Sequence, residues 1–136
     1  MSASASNSVL VVGASRGIGA ELVRQYLADG FRVHATVRDV TAPGELSGLD
    51  GDLALHALDV RDADQTAAVA AELAGAELGI AIHNAGIGRP FPREQIMEVN
   101  AVAPIRMSEA LLGAGAVRAG GVLAIMTSQM GSRRGR

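Results

Sequence analysis

The residues with the clearest chemical potential are the glycines of "VVGASRGIGAEL", which follow a short apolar run near the start of the chain. Gly13, Gly17 and Gly19 lie between a predicted strand and a predicted helix. A glycine permits a tight turn and lets the backbone approach a ligand without an intervening Cβ. The free N–H groups and positive dipole end of a helix favour an anion. The turn therefore predicts a phosphate-binding site, although glycines also occur in turns that bind nothing.

Strands alternating with helices must position this turn. Continuous apolar runs, typical of strands buried on both faces of a sheet, predict strands at 9–12, 31–37, 53–58, 78–82 and 122–126. Helical patterns follow at 18–27, 62–75 and 92–112, and residues 41–51 form a loop with at most one helical turn. Gly30 is expected to end the first helix and Asp62 to cap the second, while Pro104 predicts a kink in the third. This alternation predicts an α/β protein with a parallel sheet and right-handed crossovers.

Composition excludes several classes of protein. The 136 residues are 49% hydrophobic and 19% charged, which is typical of one globular domain. A net charge of −2 argues against nucleic-acid binding, and the absence of cysteine excludes disulfides and thiolate metal sites. No apolar run approaches the ~20 residues of a membrane span, and "MSASASNS" lacks the features of a secretory signal. We therefore expect a cytoplasmic protein without a metal site, whose first seven residues form a flexible tail.

Five sequence marks occur in order along the chain: the G-x-x-x-G-x-G turn at 13–19, Asp59-Val60, "HNAG" at 83–86, "EVN" ending at Asn100, and "IMTS" ending at Ser128. Together they resemble the short-chain dehydrogenase/reductase family. The resemblance implies a Rossmann-type doubly wound parallel sheet of five strands in the order 3-2-1-4-5 over residues 8–136. Within the family, "TVRD" and "HNAGI" look most like the small C-factor or sniffer-type carbonyl reductases.

The resemblance also implies a dinucleotide cofactor. It assigns binding to Gly13, Ser15, Arg16, Gly17, Ile18, Gly19, Arg38, Asp59, Val60, Asn84, Ala85 and Gly86. An acidic residue at the end of the second strand would favour NAD(H), but Val37 stands there and Arg38 follows it. Two guanidinium groups, Arg16 and Arg38, suit a 2′-phosphate, so we expect NADP(H) to be preferred. The alternative is that both arginines are only solvated surface residues.

Two departures from the family pattern concern strand residues. His83 replaces the first Asn of the family's N-N-A-G, and Val12 stands where many members have Thr. We expect His83 to be structural rather than a catalytic base, and Asn84 to bridge strand backbones. His34 and His56, inside predicted strands, are also expected to be structural.

By resemblance, Asn100 and Ser128 are catalytic, but the family's Tyr-x-x-x-Lys pair has no counterpart. Tyr26 is the one tyrosine, predicted to face the sheet from the first helix, and the chain contains no lysine. We therefore expect a chain truncated after the fifth strand: an NADP(H)-dependent carbonyl or alcohol oxidoreductase by family, inactive as given. The alternatives are a non-enzymatic dinucleotide-binding protein or one half of a split enzyme.

The predicted fifth strand also bears on assembly. It would lie at the edge of the sheet, and its run "GVLAIM" carries no charge or proline. Together with an apolar patch expected around Ile105, Leu111 and Leu112, this edge predicts self-association.

Overall fold

A computed structural model describes residues 7–127 of the chain. Its centre is a five-stranded parallel sheet in the order β3-β2-β1-β4-β5, which confirms the predicted fold class and strand order. The strands are β1 (Ser8–Val12), β2 (Arg32–Val37), β3 (Leu53–Ala57), β4 (Leu78–His83) and β5 (Val117–Ile125).

The helices connect the strands. They are α1 (Gly17–Ala28), α2 (Ala63–Glu72), α3 (Arg93–Met97) and α4 (Ala103–Gly113), with a π-helical segment (Glu98–Val102) between the last two and a 3₁₀ turn (Gly44–Leu46) in the loop before β3. The Asp62 side chain caps α2 as predicted, accepting from the Asp64 and Gln65 N–H groups at 2.9 and 3.0 Å. Among residues 7–127, no helix is both long and apolar enough to cross a membrane.

Apolar side chains fill both faces of the sheet. Val9 and Val11 of β1 belong to the core beneath α1, whereas Leu10 and Val12 belong to the core beneath α2 and α4. Every residue of β1 is buried. The continuous apolar run that predicted a two-sided strand therefore reflects the packing.

The fifth strand is longer than the sequence predicted. It begins at Val117 rather than at residue 122, and its pairing with β4 is irregular: Leu78 faces Val117, but Ile80 faces Val122. Gly120, at φ +78°, lies within the extra segment. Arg118 and the two glycines of "VRAGG" interrupt the apolar run, which concealed the first half of the strand.

The third predicted helix is divided rather than continuous. The π-helical segment precedes α4, and Pro104 lies in the first turn of α4. Proline has no N–H to donate to the preceding turn, so a wider turn is a common accommodation. The kink expected at Pro104 stays a prediction, while the π segment that precedes Pro104 has Asn100 at its centre.

Candidate functional site

The glycine turn between β1 and α1 is shaped by close packing. Gly13 has φ +85°, and a Cβ there would lie 2.8 Å from the backbone of Ala85. A Cβ on Gly19 would collide with the Gly13 carbonyl oxygen and lie 3.0 Å from Ala14 Cα. Gly17 has φ +63°, and among residues 7–127 no heavy atom beyond its chain neighbours and the backbone of its own helix lies within 4 Å of the position that a Cβ would take there. Gly13 and Gly19 therefore allow close packing around the turn, whereas Gly17 leaves open space where a side chain would otherwise lie.

Hydrogen bonds from neighbouring strands fix the turn. The Gly13 N–H donates to Thr36 Oγ1 and the Ala14 N–H to the Thr36 carbonyl, both at 3.0 Å. Asn84 Nδ2 donates to the Gly13 carbonyl at 3.1 Å, and its N–H donates to the Val12 carbonyl at 2.9 Å. Asn84 therefore bridges β4 and β1 backbones, as the sequence indicated. Thr36 is the first residue of "TVRD", but the sequence assigned its hydroxyl no role, because its hydrogen bond depends on the contact between β2 and the turn in the folded chain.

A cleft of about 250 Å³ opens at the carboxyl ends of the strands. It brings together nine of the predicted binding residues: Gly13, Ser15, Arg16, Arg38, Asp59, Val60, Asn84, Ala85 and Gly86. Three others, Gly17, Ile18 and Gly19, lie in the first turn of α1 and do not line the cleft. The cleft adds residues that the sequence did not single out for it: Ala14, Thr36, Val37, Leu58, Arg61, Ile87, Phe91, Gln95 and Val99.

The second strand ends at this cleft without an acidic side chain. Val37 is buried in the core beneath α1, while Arg16 and Arg38 are exposed. Within residues 7–127, neither guanidinium has a carboxylate oxygen within 4 Å. Both cations are therefore available to an anion entering the cleft.

Asp59 is engaged by a neighbour that no sequence motif had indicated. Arg61 Nε and Nη2 donate to the two Asp59 carboxylate oxygens at 3.2 and 3.0 Å. The hydrogen bond from the Arg61 side chain is the main cause that lowers the pKa of Asp59, with a smaller contribution from Arg38. Asp59 therefore lines the cleft as a carboxylate held by a fork-shaped ion pair.

A second carboxylate approaches the glycine turn. The Glu45 N–H donates to the Ser15 carbonyl at 2.8 Å, and Glu45 Oε2 accepts from the Gly17 N–H at 3.5 Å. The 3₁₀ turn thus packs against the start of α1 and brings a negative charge to the N–H that would face an anion. The loop sequence "TAPGELSGLDG" does not predict this contact, because it depends on tertiary packing.

Of the two predicted catalytic residues, Asn100 lies within the described part of the chain and Ser128 lies outside it. Asn100 Oδ1 accepts from the Ile87 N–H at 2.9 Å, and Asn100 Nδ2 donates to the Ile87 carbonyl at 2.7 Å. Its side chain therefore fixes the loop that follows "HNAG". Ser128 lies outside the described residues, which end at Thr127, two residues beyond β5.

The three histidines lie in the sheet. His83 is 5% exposed, neither ring nitrogen has a hydrogen-bond partner within residues 7–127, and burial lowers its pKa to about 4. His34 Nδ1 and His56 Nε2 are 3.0 Å apart, and His56 Nδ1 lies 3.1 Å from Glu72 Oε1. These contacts connect β2, β3 and α2, away from the cleft.

Comparison with known proteins places the chain in a family. The family profile "short chain dehydrogenase" matches residues 7–136. Estradiol 17-beta-dehydrogenase 1 of Rattus norvegicus is 33% identical in an alignment of 125 positions that covers 79% of this chain and 36% of the rat protein. A carbonyl reductase from Pseudomonas aeruginosa, solved in complex with NADP, is 33% identical with a TM-score of 0.83, covering 94% of this chain and 61% of that one. Sniffer of Caenorhabditis elegans, 24% identical, shares the fold with a TM-score of 0.81 over 96% of this chain and 66% of its own.

The chain belongs to the short-chain dehydrogenase family, as the order of its sequence marks indicated. It spans about a third of the length of the rat relative and about three-fifths of the Pseudomonas structure. The finer assignment to the C-factor or sniffer-type subgroup stays a prediction.

Proposed function

We propose that this chain binds NADP(H) in the cleft at the carboxyl ends of the strands. The observation that carries the proposal is that the glycine turn opens into the same cleft as Arg16 and Arg38, with buried Val37 where an NAD-specific acid would stand. Dinucleotides bind at this edge of doubly wound sheets, where the strand order reverses between β1 and β4. The Pseudomonas relative with NADP bound supports the same choice.

The described residues fit the parts of such a cofactor. The N-terminus of α1 beside Gly17 would take the pyrophosphate, provided that the Glu45 carboxylate turns away from the Gly17 N–H. Arg16 and Arg38 offer forked cationic donors to the 2′-phosphate. Asp59 and Val60, which match the position where the family binds the adenine, line the same cleft. When bound, the cofactor supplies a hydride donor or acceptor.

The reaction class is carbonyl reduction or alcohol oxidation, proposed from family membership. Asn100 holds the loop after β4, and Ser128 would polarise the substrate carbonyl. The half-buried Tyr26 ring packs edge-on against Phe31 with centroids 5.0 Å apart, outside the cleft, and the 136 residues contain no lysine. These residues by themselves hold no tyrosine–lysine pair for general acid/base catalysis, so we propose that they bind cofactor without turning over substrate.

The lack of a tyrosine–lysine pair near the cleft is the observation behind two further candidate roles. The chain acts as a non-enzymatic dinucleotide-binding protein, or it is completed by a second polypeptide that brings the acid/base pair. A carbonyl-reduction assay with and without cell extract separates these roles, because only the second gains activity from the extract.

Calorimetric titration with NADP⁺ and NAD⁺ tests the cofactor. One charge-assisted hydrogen bond contributes about 1.5–3 kcal/mol, so NADP⁺ should bind on the order of ten- to a hundred-fold more tightly. In Arg16→Ala/Arg38→Ala this preference should disappear. Arg24→Ala, which removes an exposed arginine paired with Glu21, is the matched control. Equal affinities in the unchanged chain would contradict the preference for NADP(H). Steady NADPH oxidation with a ketone by the purified 136 residues would contradict the absence of turnover.

A further inference from the structure

The ring of His83 carries two polar atoms that the fold buries without a partner. The residue is 5% exposed, and within residues 7–127 neither Nδ1 nor Nε2 makes a hydrogen bond. Because burial lowers its pKa to about 4, the ring is neutral near pH 7, with one nitrogen as a donor and the other as an acceptor. Buried polar groups left unpaired are costly, and most of them in proteins bind another protein group or an ordered water.

A small cavity lies beside this ring, where α4 packs on β1, β4 and β5. Its volume is about 10 Å³, which is about the space that one water molecule needs and too little for an organic ligand. Among the lining residues, only His83 and Ser108 of α4 have a nitrogen or oxygen in the side chain. The remaining wall is apolar and consists of Val12, Ala81, Ile82, Met107, Leu111, Leu123 and Ala124.

Ser108 is the second polar group at this cavity. It is half-buried, and its hydroxyl makes no direct hydrogen bond to His83. A hydroxyl can donate and accept, and so can a water molecule. A water between the two side chains can therefore satisfy a ring nitrogen in either tautomer of His83.

We propose that this cavity is a binding site for one buried water molecule, which bridges the His83 ring to the Ser108 hydroxyl and so joins α4 to the end of β4. The site is separate from the cleft and does not depend on the binding of a dinucleotide. His83 directly precedes Asn84, whose side chain donates to the Gly13 carbonyl. The bridge therefore supports the end of β4 next to the residue that fixes the glycine turn.

A high-resolution crystal structure of the chain tests the site directly. It should show an ordered water at hydrogen-bond distance, about 2.7–3.2 Å, from a His83 ring nitrogen and from Ser108 Oγ. In solution near pH 7, the same water should give nuclear Overhauser effects to the His83 ring protons. A cavity without ordered water, or a direct hydrogen bond between the two side chains, would overturn the proposal.

A double-mutant cycle measures what the bridge contributes. Ser108→Ala removes the hydroxyl, and His83→Leu removes the ring nitrogens while keeping an apolar side chain. The unfolding equilibrium constant should rise about fivefold more on Ser108→Ala in the unchanged chain than in His83→Leu, which corresponds to one hydrogen bond. The higher helix propensity of alanine affects both backgrounds equally and cancels in the comparison.

Glu109→Ala is the matched control, since Glu109 is the exposed neighbour of Ser108 on α4. It should change stability by the same factor with and without His83. Equal effects of Ser108→Ala in the two backgrounds would show that the two side chains are not coupled and would refute the bridge. If His83→Leu does not fold, the crystal structure and the nuclear Overhauser effects of the unchanged chain decide the question.

Discussion

Gly19 illustrates how a single atom constrains the site. A Cβ at this position would meet the Gly13 carbonyl oxygen, which belongs to backbone and cannot move without opening the turn. We expect Gly19→Ala to lower the free energy of unfolding by about 1–3 kcal/mol, the usual cost of overpacking. Gly113→Ala is the matched control, since Gly113 ends α4 and has nothing within 4 Å of the added Cβ. Urea denaturation measures both, and equal midpoints for the two variants would contradict the packing argument.

At the same scale, His83 makes stability depend on pH. Burial lowers its pKa to about 4 in the folded chain, against about 6.5 when unfolded. Between these values the unfolded state binds more protons, so stability present above pH 6.5 is lost as the pH falls towards 4. The difference corresponds to ~3 kcal/mol.

The measurement is urea denaturation at pH 7 and pH 5. His83→Leu should lose distinctly less stability than the unchanged chain on going to pH 5. Burial also lowers the pKa of His34, so part of the pH dependence should persist in the variant. The variant His34→Gln therefore serves as a comparison for the part of the pH dependence that comes from His34. If the pH profile of stability is unaltered by His83→Leu, the burial of His83 does not cause the pH dependence.

At the scale of elements, α2 offers a direct test of a local signal. The Asp62 carboxylate accepts from two N–H groups in the first turn of α2, and both would lose that partner in Asp62→Ala. Loss of such a cap costs about 1 kcal/mol. Asp50→Ala removes an exposed aspartate that makes no side-chain hydrogen bond within residues 7–127, and it should leave the unfolding midpoint nearly unchanged. Equal effects of both substitutions would show that the cap does not stabilise α2.

How far the sequence predicts each element depends on whether its signal is local. The buried run of β1, the Asp62 cap and the glycine turn are encoded in adjacent residues, and all three appear where expected. The start of β5 was missed because its irregularly paired segment contains two glycines, whose role depends on the register with β4. The same distinction holds for the cleft.

Cleft residues within a motif, such as Gly13 and Asn84, were found from the sequence. Thr36, Glu45 and Arg61 were not, because each acts through a partner that only folding brings near. Arg61 is two residues from Asp59, yet its spacing alone does not show that its side chain turns back. Sequence motifs therefore located the cleft, while its electrostatics required the structure.

At the scale of the whole molecule, β5 and α4 both carry exposed apolar side chains. Among the described residues β5 has a neighbouring strand on one side only, and its Val122 and Ile125 are about half exposed. On α4, Ile105 and Leu112 are each 60% exposed. Leu111, predicted from the sequence to belong to the same patch, is instead buried in the core. Edges and patches of this kind favour association with other chains.

We therefore propose that the 136-residue chain self-associates through the β5 edge or the outer face of α4. Light scattering across micromolar concentrations should show species larger than the 13.9 kDa monomer. Val122→Lys/Ile125→Lys places charges on the edge and should shift the distribution towards monomer, because burying unpaired lysines opposes strand pairing. Val40→Lys, at an exposed valine outside β5 and α4, should leave it unchanged. A monodisperse monomer that unfolds cooperatively would instead mean that this apolar surface is too small or too well covered to drive association.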